Sequence, residues 1–180
     1  MMVKFKSILG IVLALTISNS FAEVPSMIHK VALENNVPPE LFYALVLAES
    51  RSKTQQGAKS WPWTMNVGGH PHFFQTREDA YSFASSLTDR GITNFDTGIA
   101  QVNWKWHKER FNHNLWDAFD PYKNLTAAAQ HLREQYERPA CNKWYIAVGC
   151  YHRPSRKPKD IKIATKYANR VLKIWEKIAL

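Results

Sequence analysis

Apolar residues recur at intervals of three and four along most of the chain, and this spacing predicts a mainly α-helical domain. Proline or a capping residue opens several of these segments, and glycine or proline follows others, as at natural helix ends. The predicted helices cover Pro25 to Asn35, Pro38 to about Ser50, Thr76 to Arg90, Asp120 to Arg138, Cys141 to Tyr151 and Ile161 to Ile178.

The segment "TMNVGGHPHFF", Thr64 to Phe74, departs from the helical pattern. The pair Gly68-Gly69 separates two short runs with apolar and aromatic residues, which is typical of a β-hairpin. The sequence therefore predicts an α+β fold that is mainly α, with one small hairpin. No internal repeat or low-complexity linker divides the chain.

Residues 1–22 have the pattern of a secretory signal peptide. Two lysines precede an apolar run of about ten residues, which is too short to span a bilayer. Small residues, Ser20 and Ala22, then stand where a signal peptidase cleaves. The alternative is an uncleaved membrane anchor. Cleavage after Ala22 would leave one domain, residues 23–180, with no stable membrane span.

The chain carries a formal charge of +9, and removal of the two leader lysines would leave +7. A basic surface favours polyanions such as nucleic acid, anionic headgroups or an acidic cell wall, and an exported protein meets DNA least often. The two cysteines, Cys141 and Cys150, form either a disulfide or a pair of half-buried thiols. Without a ligand-spaced histidine pair they do not indicate a zinc site.

The stretch "ALVLAESRS" ends an apolar helix in a carboxylate, Glu49. Such a helix end removes water from the carboxylate and raises its pKa, so that it can hold a proton at neutral pH. Glycosidic bond cleavage needs such a proton for the leaving oxygen. Glu49 is therefore the candidate general acid. The alternative is that Glu49 is a solvated residue at the end of a helix.

Four segments follow one another in an order that resembles a known family: "LVLAESRS", "DTGIAQVNW", "DPYKNLTAAAQHL" and "AVGCYHRP". They are similar to the lysozyme-like lytic transglycosylases of the soluble-lytic (SLT) type and cover about Val37 to Pro154. The resemblance implies a goose-type lysozyme-like helical domain. A long insertion, about residues 60–96, resembles the subgroup encoded with conjugation and type IV secretion systems.

The resemblance also implies roles for single residues. Glu49 takes the place of the catalytic acid, and Tyr151 matches a tyrosine that points at it. The remaining substrate-binding candidates come from the first two motifs: Ser50, Gly98, Gln101 and Asn103. The chain departs from the family pattern at residues 152–154, where His-Arg-Pro replaces Asn-Ala-Gly.

By this resemblance the chain cleaves the MurNAc–GlcNAc bond of peptidoglycan and closes a 1,6-anhydro ring. The signal peptide predicts that it does so in the periplasm. The attacking hydroxyl belongs to the substrate, so neither cofactor nor metal is expected. The expected partners are glycan strands and an envelope-spanning secretion or conjugation machine, and no nucleic acid.

Two other functions stay open. A lysozyme-type hydrolase would need a second carboxylate, for which Asp96 is the candidate, although we expect Asp96 to cap a helix that starts near Gly98. A non-catalytic wall- or DNA-binding factor would use the positive charge and the many aromatic residues. Trp61 and Trp63 are the weak choice for sugar contacts, and His107 is expected at the surface or in a loop.

Overall fold

The computed structural model describes residues 24–54, 57–155 and 157–179, so the predicted leader lies outside the described residues. Seven α-helices occur within these ranges: α1 (Ser26–Glu34), α2 (Pro39–Ser50), α3 (Arg77–Asp89), α4 (Trp104–His107), α5 (Pro121–Glu137), α6 (Trp144–His152) and α7 (Pro158–Ala179). Short 3-10 helices cover Lys108–Phe111, Asp117–Phe119 and Pro139–Cys141. The mainly α, lysozyme-like fold class is confirmed. Among the described helices, none is both long and apolar enough to cross a bilayer.

Six strands form two small antiparallel sheets in the described ranges. Strands β1 (Arg51–Thr54) and β2 (Gly57–Ser60) pair with each other. The second sheet has the order β4-β3-β5-β6, with β3 Thr64–Val67, β4 His70–Phe73, β5 Phe95–Thr97 and β6 Val102–Asn103. The β3–β4 hairpin turns at Gly68-Gly69, as predicted, and both glycines have positive φ. The β1–β2 hairpin was not predicted, because its polar sequence lacks the usual alternation.

Helix ends follow the predicted signals closely. Thr76 caps α3 by accepting a hydrogen bond from the Asp79 amide at 3.1 Å. Gly91 ends the same helix in a left-handed conformation, and the Ile92 amide bonds back to Leu87 O at 2.9 Å. By contrast, α6 begins three residues later than predicted, because residues 139–141 form a 3-10 turn.

The core is built around α2, which is buried on nearly all sides. Phe42, Leu45 and Val46 are fully buried, and the helix packs between α1 and α7. Burying a large apolar side chain contributes about 1.5–3 kcal/mol, so this helix anchors the domain. Its last turn then emerges from the core, which sets the surroundings of Glu49.

Two further contacts fix the elements around α2. Cys141 and Cys150 form a disulfide that ties α6 to the turn before it, with Cα atoms 6.5 Å apart. Gly149 lets α6 approach α7 closely, since a Cβ there would lie 3.0 Å from the carbonyl oxygen of Ala164. The disulfide fixes α6 on the turn before it, and the contact at Gly149 sets the distance between α6 and α7.

The turn between β5 and β6, residues 98–101, is held by one buried amide. Asn124 Nδ2 donates to the carbonyl oxygens of Thr97 and Ala118, and Asn124 Oδ1 accepts from the Ala100 amide, all at 2.9 Å. Gly98 is required beside it, because its φ is +75° and a Cβ would lie 2.4 Å from Asn124 Nδ2. The helix predicted to start near Gly98 is therefore wrong: a tight turn stands in its place.

We predict that Asn124→Ala destabilises the fold by about 3 kcal/mol or more, because three buried backbone groups lose their partner. The measurement is the urea unfolding midpoint. Thr126→Ala on the same helix is the control, since its hydroxyl bonds only a carbonyl of its own helix. Equal losses in the two variants would contradict the proposed role of Asn124.

Candidate functional site

Glu49 lies in the last turn of α2 and is half-buried. The Tyr167 hydroxyl, on α7, donates a hydrogen bond to Glu49 Oε1. Next to it, Arg170 Nη2 donates to the carbonyl oxygen of Ala48 at 2.8 Å. The carboxylate is thus held against α7 rather than projecting freely into water.

The surroundings of Glu49 change its protonation. Burial raises the pKa of the carboxyl from its ordinary value to about 7, and the charge of Asp96 adds a smaller rise. The Tyr167 hydrogen bond and the Arg170 charge favour the ionised form but do not outweigh burial. Near neutral pH a substantial fraction of Glu49 therefore carries a proton that it can donate.

Tyr167 was missed by sequence reasoning. It lies on the apolar face of α7 with Ala164 and Val171, and such a tyrosine is more often a core residue. The side chain is positioned from α6, where the ring of His152 stacks on it at 4.3 Å between centroids. A separation of 118 residues between Tyr167 and Glu49 leaves no local signal for their contact.

Tyr151, the predicted neighbour of Glu49, has a different hydrogen-bond partner. Its hydroxyl donates to the carbonyl oxygen of Ala100 at 3.0 Å. Burial raises its pKa well above the ordinary value, with a further rise from the Glu49 charge, so the two groups do interact electrostatically. Tyr151 therefore joins α6 to the turn at residues 98–101, and Tyr167 is the tyrosine bonded to Glu49.

Gln101 ends that turn with a left-handed φ of +49°, which is uncommon for a residue other than glycine. Its Nε2 donates to the carbonyl oxygens of Gly98 at 2.9 Å and Thr64 at 3.3 Å. Strained residues of this kind concentrate at functional sites. Gly98 itself is buried against Asn124, and its place is structural.

Asp96 and Asn103 face each other across β5 and β6. Asn103 Nδ2 donates to Asp96 Oδ1 at 2.8 Å and to Asn94 Oδ1 at 3.2 Å. Burial raises the pKa of Asp96, and the Asn103 hydrogen bond partly offsets that rise. The expectation that Asp96 caps a helix is therefore wrong, because Asp96 is a strand residue.

An open groove of about 910 Å³ brings most of the predicted site residues together. Glu49 and Asp96 line it, with the amides of Gln101 and Asn103 and the ring of Tyr151. Ser50 ends α2, and its side chain lies outside the described part of the structure. Residues from all four sequence segments thus meet at one groove, with His131 contributed by the third segment.

The tryptophan at this groove is not one of the two that were expected. Trp106 of α4 lines the groove and is 68% exposed. Trp61 and Trp63 instead pack edge to face with each other, 5.8 Å between centroids, and Trp61 Nε1 donates to the Phe74 carbonyl. The two tryptophans therefore belong to the hairpin region, and Trp106 is the better candidate for contact with a sugar ring.

A histidine pair, His107 and His131, also lines the groove. The rings of His107 and His131 are 4.4 Å apart, and His131 lies 5.0 Å from the ring of Tyr151. Burial lowers the pKa of both, that of His131 to about 4, so both are neutral at pH 7. His107 ends α4 and is half-buried, so it is a helix residue rather than the surface or loop residue expected. No group of three metal-ligating side chains occurs among the described residues.

Comparison with known proteins agrees with this geometry. The family model described as the transglycosylase SLT domain matches residues 26–173, well over half of the chain. No curated protein and no solved structure matches the chain. The match begins with α1 and ends within α7, so it covers every described residue that lines the groove, and the chain belongs to the transglycosylase SLT family.

Proposed function

We propose that this protein is a peptidoglycan lytic transglycosylase that cleaves the MurNAc–GlcNAc β-1,4 bond and leaves a 1,6-anhydroMurNAc end. The observation that carries the proposal is the state of Glu49: a carboxyl with a pKa of about 7, bonded by Tyr167, at the wall of an open groove. A free glutamate, with a pKa near 4.3, would hold almost no proton at neutral pH.

The chemistry uses one carboxyl group twice. Protonated Glu49 first donates its proton to the glycosidic oxygen, and the bond between that oxygen and C1 of MurNAc breaks. The resulting carboxylate then takes the proton of the C6 hydroxyl of the same MurNAc, and O6 bonds to C1. Glu49 ends protonated, no water is consumed, and the leaving GlcNAc keeps its 4-hydroxyl.

The neighbouring polar groups are suited to hold the sugar and the acid. Tyr167 fixes one carboxyl oxygen of Glu49, so that the other oxygen is left for the substrate. Gln101 has its Nε2 engaged by two carbonyls, so its Oε1 is the end that can accept a bond from a sugar hydroxyl. Asn103 has a buried Oδ1 without a partner in the described residues, which a substrate N–H or O–H would satisfy.

We also propose that the protein acts in the periplasm, where it opens the wall locally for a secretion or conjugation machine. The predicted signal peptide supports export. The insertion, residues 60–96, resembles that of the subgroup encoded with conjugation and type IV secretion systems, and this resemblance supports a role beside such a machine. Both rest on sequence patterns.

A lysozyme-type hydrolase is the second candidate, and one observation favours it: Asp96 lines the same groove as Glu49. Against it, Asn103 Nδ2 donates a hydrogen bond to Asp96 Oδ1 at 2.8 Å, and this bond to the carboxylate lowers its basicity and its strength as a nucleophile. The family match favours the transglycosylase.

Glu49→Gln should lower the release of anhydro-muropeptides from purified peptidoglycan by about 10³-fold, since the amide can neither give nor take the proton. Mass spectrometry identifies the products, which are lighter by one water than reducing sugars. Glu40→Gln, an exposed acid at the other end of α2, is the matched control. Reducing-end products that vanish in Asp96→Asn would establish the hydrolase instead.

The expected loss of activity in Glu49→Gln would not come from unfolding of the variant. Because the folded pKa of Glu49 is about 7 and the unfolded value about 4.5, the fold loses stability as pH rises through 7. Glu49→Gln lacks this titration. At pH 8 it should therefore be at least as stable as the wild type in thermal unfolding.

The alkaline limb of kcat/KM should fall through about pH 7, where free Glu49 loses its proton. Tyr167→Phe removes a hydrogen bond that favours the ionised carboxyl, so the limb should move to higher pH by up to about one unit. The pH profile of anhydro-product formation measures this. Tyr145→Phe, an exposed ring on α6, should leave the limb in place, whereas a shift of the Tyr167→Phe limb to lower pH would refute the assignment.

Trp106→Ala should raise KM for soluble glycan strands about 5- to 30-fold with little change in kcat, because the lost ring contributes about 1–2 kcal/mol of stacking. Trp106→Phe should restore most of the affinity, and Tyr145→Ala, exposed outside the groove, should change neither constant. An unchanged KM in Trp106→Ala would exclude the indole as a sugar platform.

A further inference from the structure

A second hollow opens on the other side of Glu49. It has a volume of about 1370 Å³ and is lined among the described residues chiefly by α7. Ala48, Glu49, His152 and Arg170 line both this hollow and the sugar groove. A substrate seated on Glu49 can therefore extend into either space.

The wall of this hollow is strongly basic. Five cations of α7 line it and are spaced to fall on one helical face: Lys162, Lys166, Arg170, Lys173 and Lys177. All five are exposed. We call this set the α7 basic stripe.

The lysines of the stripe have no acid paired with them in the described part of the chain. Among the described residues, none of its four lysines lies within 4.0 Å of a carboxylate, whereas Asp160 of the same helix pairs with Arg153 at 3.8 Å. The segment that follows Glu49, residues 50–59, contains three basic residues and no acid in its sequence. A stripe of like charges that faces a hollow is suited to an anionic ligand.

The stem peptides are the anionic part of a glycan strand. The sugar hydroxyls and acetamides are neutral, and the lactyl group of MurNAc carries a short peptide with free carboxylates. An extended stem of four residues spans at most about 14 Å. Lys177 lies seven residues from Arg170, about 10 Å along the helix axis, so a stem beside Glu49 can reach the stripe.

We propose that the α7 basic stripe binds the carboxylates of the stem peptides, so that the protein selects strands whose stems are charged. This rests on the proposed function, since it takes the glycan strand as the substrate. The stripe supplies selectivity and the sugar groove supplies the chemistry.

The test compares two soluble, uncrosslinked glycan strands that differ only in charge. One keeps its native stems, and in the other the stem carboxylates are converted to methylamides. Wild-type kcat/KM should be about three- to tenfold higher on the native strand at low salt, and this ratio should shrink as salt is added. Equal values on the two strands would overturn the proposal.

The variants locate the effect. Lys166→Gln/Lys173→Gln should bring the ratio close to one without a change on the methylamide strand. Lys143→Gln/Lys159→Gln removes two exposed lysines that do not line the hollow, so it should keep the wild-type ratio. If Lys166→Gln/Lys173→Gln keeps the wild-type ratio too, or loses only its affinity for a duplex DNA oligonucleotide, the stripe does not bind stem peptides.

Binding of Glu49→Gln to the two labelled strands, measured by anisotropy, reports the charge preference without catalysis and so separates this proposal from the catalytic one. If the wild type releases anhydro products from both strands without a charge preference, the proposal for the stripe is contradicted and the catalytic proposal is not. A preference for the native strand without any product would support the stripe and contradict the transglycosylase.

Discussion

The burial of one carboxyl at the end of an apolar helix is the constraint on which the rest of this structure depends. A helix like α2, buried on nearly all sides, cannot end in an ionised glutamate without cost. The fold meets that cost in two ways: Glu49 binds a proton up to about pH 7, and Tyr167 bonds the carboxylate when the proton leaves. The same balance suits the role proposed for Glu49, which is first an acid and then a base.

That balance needs elements that are distant in sequence. Tyr167 is placed by the close approach of α6 and α7 at Gly149, and the disulfide ties the C-terminal half of α6 to the turn before that helix. Across the groove, Asn124 holds the turn from which Gln101 projects, and Tyr151 ties the same turn to α6. Residues that touch no sugar thus set the geometry of those proposed to touch it.

Local signals in the sequence predicted much of this. The capping residue Thr76, the pair Gly68-Gly69 and the apolar run before Glu49 act over a few residues, and the structure has each as expected. The predictions that failed concern residues whose structure depends on partners distant in the sequence. Asp96 was expected to cap a helix, but pairing with β3 and β6 makes it a strand residue. Tyr167 gave no signal, because only tertiary packing brings it to Glu49.

Helix α7 meets two opposing electrostatic requirements. Positive charge favours an anionic substrate, but the same charge close to Glu49 favours its ionised form and lowers its readiness to donate a proton. The structure separates the two by position. Within the described residues, Arg170 is the member of the stripe whose charge lowers the pKa of Glu49. Because burial outweighs Arg170, the helix can carry its positive charge beside the groove without removing the proton that the proposed reaction requires.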